Sequence, residues 1–265
     1  MDTTDQNRAE PAGVTVLPAT AANQTIIVTD LTNREFLERY AGPGRVGLSG
    51  GVTLIDKAIS RAERHLDSEG RWGSWSHAFL FQGSRHDGHH WVIESDLQVN
   101  RKHIRLGVQE NRVSKYFDEG YYTTLAVLDF GLAEARVTAL LGEALELVAT
   151  RTRYSLRELA GTLIALRDPE LRSRENLLAR QSCLFCSAFV QHLFRKVGMD
   201  LAPGINAKNT TPEDISLTHV PHITYLLKRE TPQNQNSGIR ARIKRRVRSR
   251  VEKLRAARKN VTAAG

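Results

Sequence analysis

The chain has 265 residues, 40% of them hydrophobic, enough to bury one sizeable core with extra helices but not two independent domains of ordinary size. No run reaches the roughly 18 consecutive apolar residues of a membrane-spanning helix, and Met1-Asp2-Thr3-Thr4-Asp5 lacks the basic then apolar pattern of a signal peptide, so a cytoplasmic place is expected. The net charge of +9 is localised: Ile239 to Gly265 holds 11 Lys or Arg against Glu252 alone, a balance of +10 that leaves −1 on the other 238 residues, so any argument about polyanions rests on that tail.

Residues 1 to 23 are rich in Thr, Ala, Asn and Pro without an apolar period and read as a mobile extension outside the fold. Gln24 to Asp30 reads as a short strand and Thr32 to Tyr40 as a helix. From Val52 the positions Leu54, Ile55, Ala58, Ile59 and Ala62 recur at helical spacing, ending near His65. A loop carrying Trp72 and Trp75 then leads into an apolar strand, Ala78 to Phe81, and a second, His90 to Ser95, across a turn containing Asp87-Gly88, which is a hairpin signal. A further strand is expected over Thr123 to Phe130, a helix over Leu132 to Thr150, and a helix start at Ser155-Leu156-Arg157-Glu158, whose Ser and Glu fit a capping box. A charged stretch, Arg167 to Arg180, precedes a helix that begins at Cys186 and ends at Gly198. The class is α+β: a central antiparallel sheet packed against helices, including the one that carries Cys186. The body runs from 24 to 230, followed by a linker and basic tail over 231 to 265.

Three residues have the chemistry of a thiol hydrolase. Phe189, Val190, Leu193, Phe194 and Val197 follow Cys186 at helical spacing and place it in the first turn of a buried helix, where the helix dipole and a neighbouring imidazole favour the thiolate. His77 stands just before the Ala78 to Phe81 strand, from which an imidazole can project into a cleft. Glu94 is the acid inside Trp91-Val92-Ile93-Glu94-Ser95, on the strand that pairs with the His77 strand, and an acid buried there needs a partner. A carboxylate on one nitrogen of His77 leaves the other to take the thiol proton. Read singly, each has a plainer alternative: an inert core thiol, a strand-end histidine and an edge-strand Glu facing water. Cys183 and Cys186 lie three apart, with no disulfide framework and without the βαβ setting of a redox pair, and suit a reducing compartment. His86-Asp87-Gly88-His89-His90 has metal-ligand residue types but falls on the hairpin turn without a second ligand cluster, so no metal or cofactor is expected.

The order Ser76-His77 before a strand, Val92-Ile93-Glu94-Ser95 on the next, and Phe185-Cys186-Ser187 opening a late helix resembles the circularly permuted papain-like family of the NlpC-type superfamily, in which the His precedes the Cys. Arg153-Tyr154-Ser155 is similar to that family's Tyr-containing turn after the long helix. Asn209-Thr210-Thr211-Pro212-Glu213-Asp214-Ile215 is similar to its Thr/Ser-Pro-x-Asp segment. The stretch nearest to its Pro-Gly-Asp opening is Gly42-Pro43-Gly44-Arg45-Val46-Gly47-Leu48, which departs from that pattern. The resemblance spans about Gly44 to Lys228. It implies a papain-like fold, Cys186 as nucleophile, His77 as base, Glu94 as third polar residue, and amide or ester chemistry through an acyl-enzyme with backbone N–H groups holding the oxyanion. Trp75, Tyr154 and Ser187 are the expected substrate-binding residues, Trp75 having core packing as its alternative.

A cysteine peptidase or amidase acting on a peptide-like substrate is the first functional reading. The related lecithin:retinol acyltransferase branch makes a lipid-directed acyl hydrolase or acyltransferase the second, with an acyl-lipid substrate. A non-enzymatic module is the third. Ile243, Val247, Val251, Leu254 and Val261 fall near one face of a helix over 239 to 261, so Arg240 to Lys259 suits an anionic membrane surface or another polyanion, including nucleic acid, and a peripheral position at a membrane. A solvated tail is the alternative.

Overall fold

The structure, a computed structural model, describes residues 14–16, 23–66, 69–100, 103–152, 156–175 and 184–229. The chain divides after Lys228, and the fold belongs to the first unit. The expected capping box at Ser155, the Tyr154 turn, Cys183 and the basic tail lie outside the described residues.

Eight strands form one sheet: β1 (Val14–Val16), β2 (Asn23–Val28), β3 (Val46–Gly51), β4 (His77–Ser84), β5 (His90–Asn100), β6 (His103–Arg112), β7 (Tyr122–Asp129) and β8 (His222–Leu227). Their order is β1-β2-β8-β7-β3-β4-β5-β6. The sheet is mixed, since β2 and β8 run parallel while the other neighbours are antiparallel. The expectation of a central antiparallel sheet is corrected at that one pair: β8 returns after the last helices, a crossover long enough for parallel entry. The extension is corrected as well, because Val14–Val16 pairs with Ile26 to Val28 as an edge strand.

Alternation along the strands serves two cores. Ala78 and Leu80 of β4, and Ala126 and Leu128 of β7, join one cluster; Phe79, Phe81, Leu125 and Val127 join the other. Both faces are covered, which is why these strands read as continuous apolar runs. The first face packs against α3 (Glu134–Ala149), α4 (Leu156–Ala165) and α6 (Cys186–Lys196). The second packs against α1 (Asn33–Tyr40) and the 3-10 turn Val113–Phe117, through Phe36, Leu37, Val113 and Tyr116. α2 (Leu54–Ala62) continues into a 3-10 turn, Glu63–Leu66; α5 (Pro169–Ser173) and α7 (Pro212–Ser216) are single turns.

Strand β3, between β7 and β4, uses Gly47 for a close approach. A Cβ at Gly47 would lie 2.1 Å from the Phe79 ring, so the ring lies over bare backbone. Phe79 in turn stacks on Tyr116 with centroids 4.2 Å apart, a packing that reaches directly to the site below.

Candidate active site

Cys186 is the first residue of α6, and its cap residue Phe185 offers no side-chain hydrogen bond to the helix start. The first amides of this helix therefore lack that partner and, with the helix dipole, favour negative charge beside the sulfur. Cys186 is 3% exposed. Ser95 fixes the approach to this turn: its hydroxyl donates to the Leu184 carbonyl at 2.5 Å, tying the chain just before Cys186 to β5.

His77 is the first residue of β4, one position further into the strand than expected. Its Nε2 lies 2.6 Å from Glu94 Oε2, and Cys186 lies close enough for its side chain to act on the ring. The β4–β5 register, Leu80 opposite Ile93, carries on to set Glu94 across from Phe79 and diagonal to His77 on the same face. The three residues singled out from the sequence are thus joined in the order Cys186, His77, Glu94.

Glu94 is fully buried and takes four donors. Oε2 accepts from His77 and from the Tyr116 hydroxyl, while Oε1 accepts from Asn111 Nδ2 at 2.7 Å and Lys115 Nζ at 2.8 Å. Lys115 also reaches Asp96 at 2.6 Å. Burial alone would raise Glu94, but the Lys115 ammonium first, then His77, hold it well below the usual carboxylate range. Burial likewise opposes the charge on His77, yet negative charge at Cys186 and the Glu94 carboxylate overcome it and raise His77 to about 10. Lys115 is held above its ordinary value, against burial, by Glu94 and Asp96, whereas Tyr116 is pushed up by burial and then by Glu94, so it stays a donor. The arrangement favours the protonated imidazole at His77, bonded to the Glu94 carboxylate.

A second acidic pair borders this site. Glu63, at the end of α2, is 1% exposed; its Oε1 accepts from the Glu213 backbone N–H at 3.2 Å, and its Oε2 has no partner among the described residues. Gly73 lies against both carboxyls, since a Cβ there would meet Glu63 Oε2 at 2.1 Å and Glu213 Oε2 at 3.0 Å. Burial, then Glu213, and further the charge at Cys186 raise Glu63 well above the usual range.

The remaining expectations divide. Trp75 does not line a substrate wall: it is 7% exposed and packs in the first core with Ile59 and Phe185, the plainer alternative for an indole next to a strand start. Ser187 does not face substrate either, because its hydroxyl is buried and donates to the Thr210 carbonyl at 2.8 Å, fastening α6 to the Asn209 to Ile215 segment. In that segment Thr211 and Asp214 form a capping box for α7, and Asp214 pairs with Arg172. Tyr154 lies outside the described residues. At the hairpin, Asp87 accepts from the His89 N–H at 3.0 Å and pairs with Arg112 at 3.1 Å; among the described residues no group of three or more His, Cys, Asp or Glu is placed to hold a metal ion. Nor, among them, is any helix long and apolar enough to cross a membrane.

Sequence reasoning missed Asn111, Lys115, Tyr116, Ser95 and Glu63. Asn111 follows from register, being diagonal to Glu94 across β5 and β6, but β6 has to be recognised first.

No protein-family model matches the chain, and no curated protein matches it. Among solved structures it is similar to the crystal structure of the metalloprotein yiiX from Escherichia coli O157:H7 (DUF1105), at 13% identity and a TM-score of 0.43, over 73% of this chain and 99% of that one. A likeness so slight carries neither fold nor function across. The class that the geometry itself defines is an α+β chain with a mixed sheet, in which Cys186 opens a buried helix and His77 is bonded to a buried Glu94.

Proposed function

We propose that the chain is a thiol hydrolase of circularly permuted papain-like type, a cysteine peptidase or amidase that cleaves an amide bond through an acyl-enzyme in the cytoplasm. The observation that carries this reading is the imidazole of His77 bonded to a buried, ionised Glu94 and close enough to Cys186 for the two side chains to act on each other.

In the proposed reaction the Cys186 sulfur adds to the substrate carbonyl carbon, and the N–H groups at the start of α6 accept the charge that develops on the oxygen. His77 gives its Nδ1 proton to the amine as the C–N bond breaks, leaving a thioester on Cys186 and a neutral imidazole. A water then loses a proton to Nδ1 as its oxygen adds to the thioester, and the carboxylic acid leaves with Cys186 restored as thiolate beside imidazolium. Glu94 holds the ring through Nε2 at each stage, and Tyr116, Asn111 and Lys115 hold Glu94. Thioester chemistry of this kind suits an amide or an ester substrate.

The test is labelling by iodoacetamide across pH in wild type, Cys186→Ala, Cys183→Ala and His77→Ala, with the labelled residue identified by peptide mass. Fast labelling at neutral pH that vanishes in Cys186→Ala, persists in Cys183→Ala and slows at least tenfold in His77→Ala is expected. Wild-type labelling at the rate of an ordinary thiol, or no change in His77→Ala, would sink the reading and turn attention to a binding module.

A further inference from the structure

The same segment that turns Ile59 and Glu63 inward is basic on its outer side. Lys57, Arg61 and Arg64 line a cavity of about 490 Å³, completed by Leu163 and Arg167 from α4 and its C-terminal turn, and by Trp72 from the loop before β4. That volume is ordinary for a small-molecule site. No carboxylate belongs to its described lining, and none of Lys57, Arg61, Arg64 and Arg167 forms an ion pair with another described residue. Elsewhere Arg45, Arg85, Arg112, Arg172 and Arg195 each face a carboxylate. Four cations around one concavity repel one another, and an anion within it turns that repulsion into attraction. Guanidinium forks match the oxygens of a phosphoryl group in bidentate fashion. Trp72, 56% exposed, supplies a flat apolar wall beside Leu163 for whatever carries the anion.

We propose that this cavity binds a phosphoryl group, held by Arg61, Arg64 and Arg167 with Lys57, while Trp72 packs on the rest of the ligand. A soluble phosphate compound and a lipid headgroup both carry this group, and the chemistry of recognition is shared. The site is separate from Cys186, on the other side of the segment that carries Glu63, and does not depend on the hydrolase reading.

Tryptophan fluorescence of the full-length chain tests it, with inorganic pyrophosphate in one arm and phosphatidic acid/phosphatidylcholine vesicles, against phosphatidylcholine alone, in the other. A saturable change is expected in at least one arm, lost in Trp72→Phe, unchanged in Cys186→Ala, and weakened at least tenfold in Arg61→Ala/Arg64→Ala and in Lys57→Ala/Arg167→Ala, two pairs drawn from different parts of the wall. Both pairs are first checked by circular dichroism for wild-type fold. A response to pyrophosphate alone assigns a soluble ligand, to the acidic vesicles alone a headgroup, and to both the phosphoryl group itself. No saturable response in either arm overturns the proposal, as does binding that both charge-removing pairs leave at wild-type strength, which would place it on the basic tail.

Discussion

Glu94→Gln is the substitution that probes the site most directly. It keeps the shape of the side chain but replaces one oxygen with an NH2 group, where both oxygens now receive two donors each. If the amide oxygen faces His77 and Tyr116, the NH2 faces Asn111 and Lys115; turned round, it faces His77 and Tyr116. Asn111 can flip to accept and Lys115 can turn to Asp96, so the first orientation is the better one. It still forfeits charge-assisted bonds from Lys115 and from His77, each worth about 1.5–3 kcal/mol, for a loss of about 3–5 kcal/mol in a fully buried site. Urea unfolding at several pH values measures it. Glu94 is held low in the folded chain, so its contribution is present above roughly pH 4–5 and is lost as pH falls toward its folded value. His77 is raised to about 10, so its share is present below roughly pH 6.5 and is lost as pH rises through about 10. The gap between wild type and variant should therefore be widest near pH 5–6 and narrow on both sides, and iodoacetamide labelling of Cys186 at neutral pH should slow by an order of magnitude or more. A variant as stable and as reactive as wild type across that range would refute the claim that Glu94 acts as a buried anion on His77.

Gly47→Ala should destabilise by about 1–3 kcal/mol and slow Cys186 labelling, because the new methyl must displace Phe79 and with it the stacked Tyr116 that bonds Glu94; thermal unfolding and labelling measured together check this, and a neutral result would mean the ring moves freely. Glu63→Gln should stabilise the chain at neutral pH by on the order of 1 kcal/mol, since an amide can donate toward the Glu213 carboxyl and cannot ionise. The folded Glu63 carboxyl is raised, so wild type loses stability as pH climbs above the ordinary carboxylate range toward the folded value, and the variant's stability curve should be flatter there; equal slopes in urea titrations at pH 5 and pH 8 would contradict it.

Much of this arrangement is legible in the residues before any coordinates. β4, β5 and β7 announce themselves as apolar runs bounded by turn signals, and α6 by its spacing and by Gly198, which takes φ +78 at the helix end. β3 is hidden for the reason that makes it useful: Val-Gly-Leu-Ser-Gly-Gly has little β propensity because Gly47 makes room for Phe79. β6 carries a short signal, the alternation of Ile104, Leu106 and Val108, which dissolves into Gln109 to Arg112 where the strand turns polar. Val14–Val16 is too short to register any period. His77, Glu94 and Cys186 are recognisable from residue type and order, whereas Lys115 and Tyr116 sit in Asn111 to Phe117, a stretch with no period, and gain their meaning only when the 3-10 turn folds back under β5. Trp75 takes its core alternative and Ser187 turns inward, because adjacency to a strand start or to Cys186 says nothing about which way a side chain points.

The charge balance around Glu94 explains why these unannounced residues matter as much as the three obvious ones. A buried carboxylate bonded only to a neutral imidazole would take up a proton, since desolvation costs several kcal/mol and nothing would offset it. Lys115 supplies the offset, and Asp96 in turn keeps Lys115 charged despite its burial. With Glu94 fixed as an anion by a cation other than His77, the imidazole is free to respond to the sulfur: it is drawn to the protonated state by Glu94 on one side and by negative charge at Cys186 on the other. Lys115 thus acts on the thiol at two removes, by fixing the charge of Glu94, which fixes the charge of His77. Tyr116 adds geometry to that electrostatics, because its stacking on Phe79 holds the hydroxyl on the Glu94 oxygen that also takes the His77 N–H. In the proposed reaction the thiol's reactivity is therefore a property of β5, β6 and the turn after it as much as of the helix that carries the sulfur.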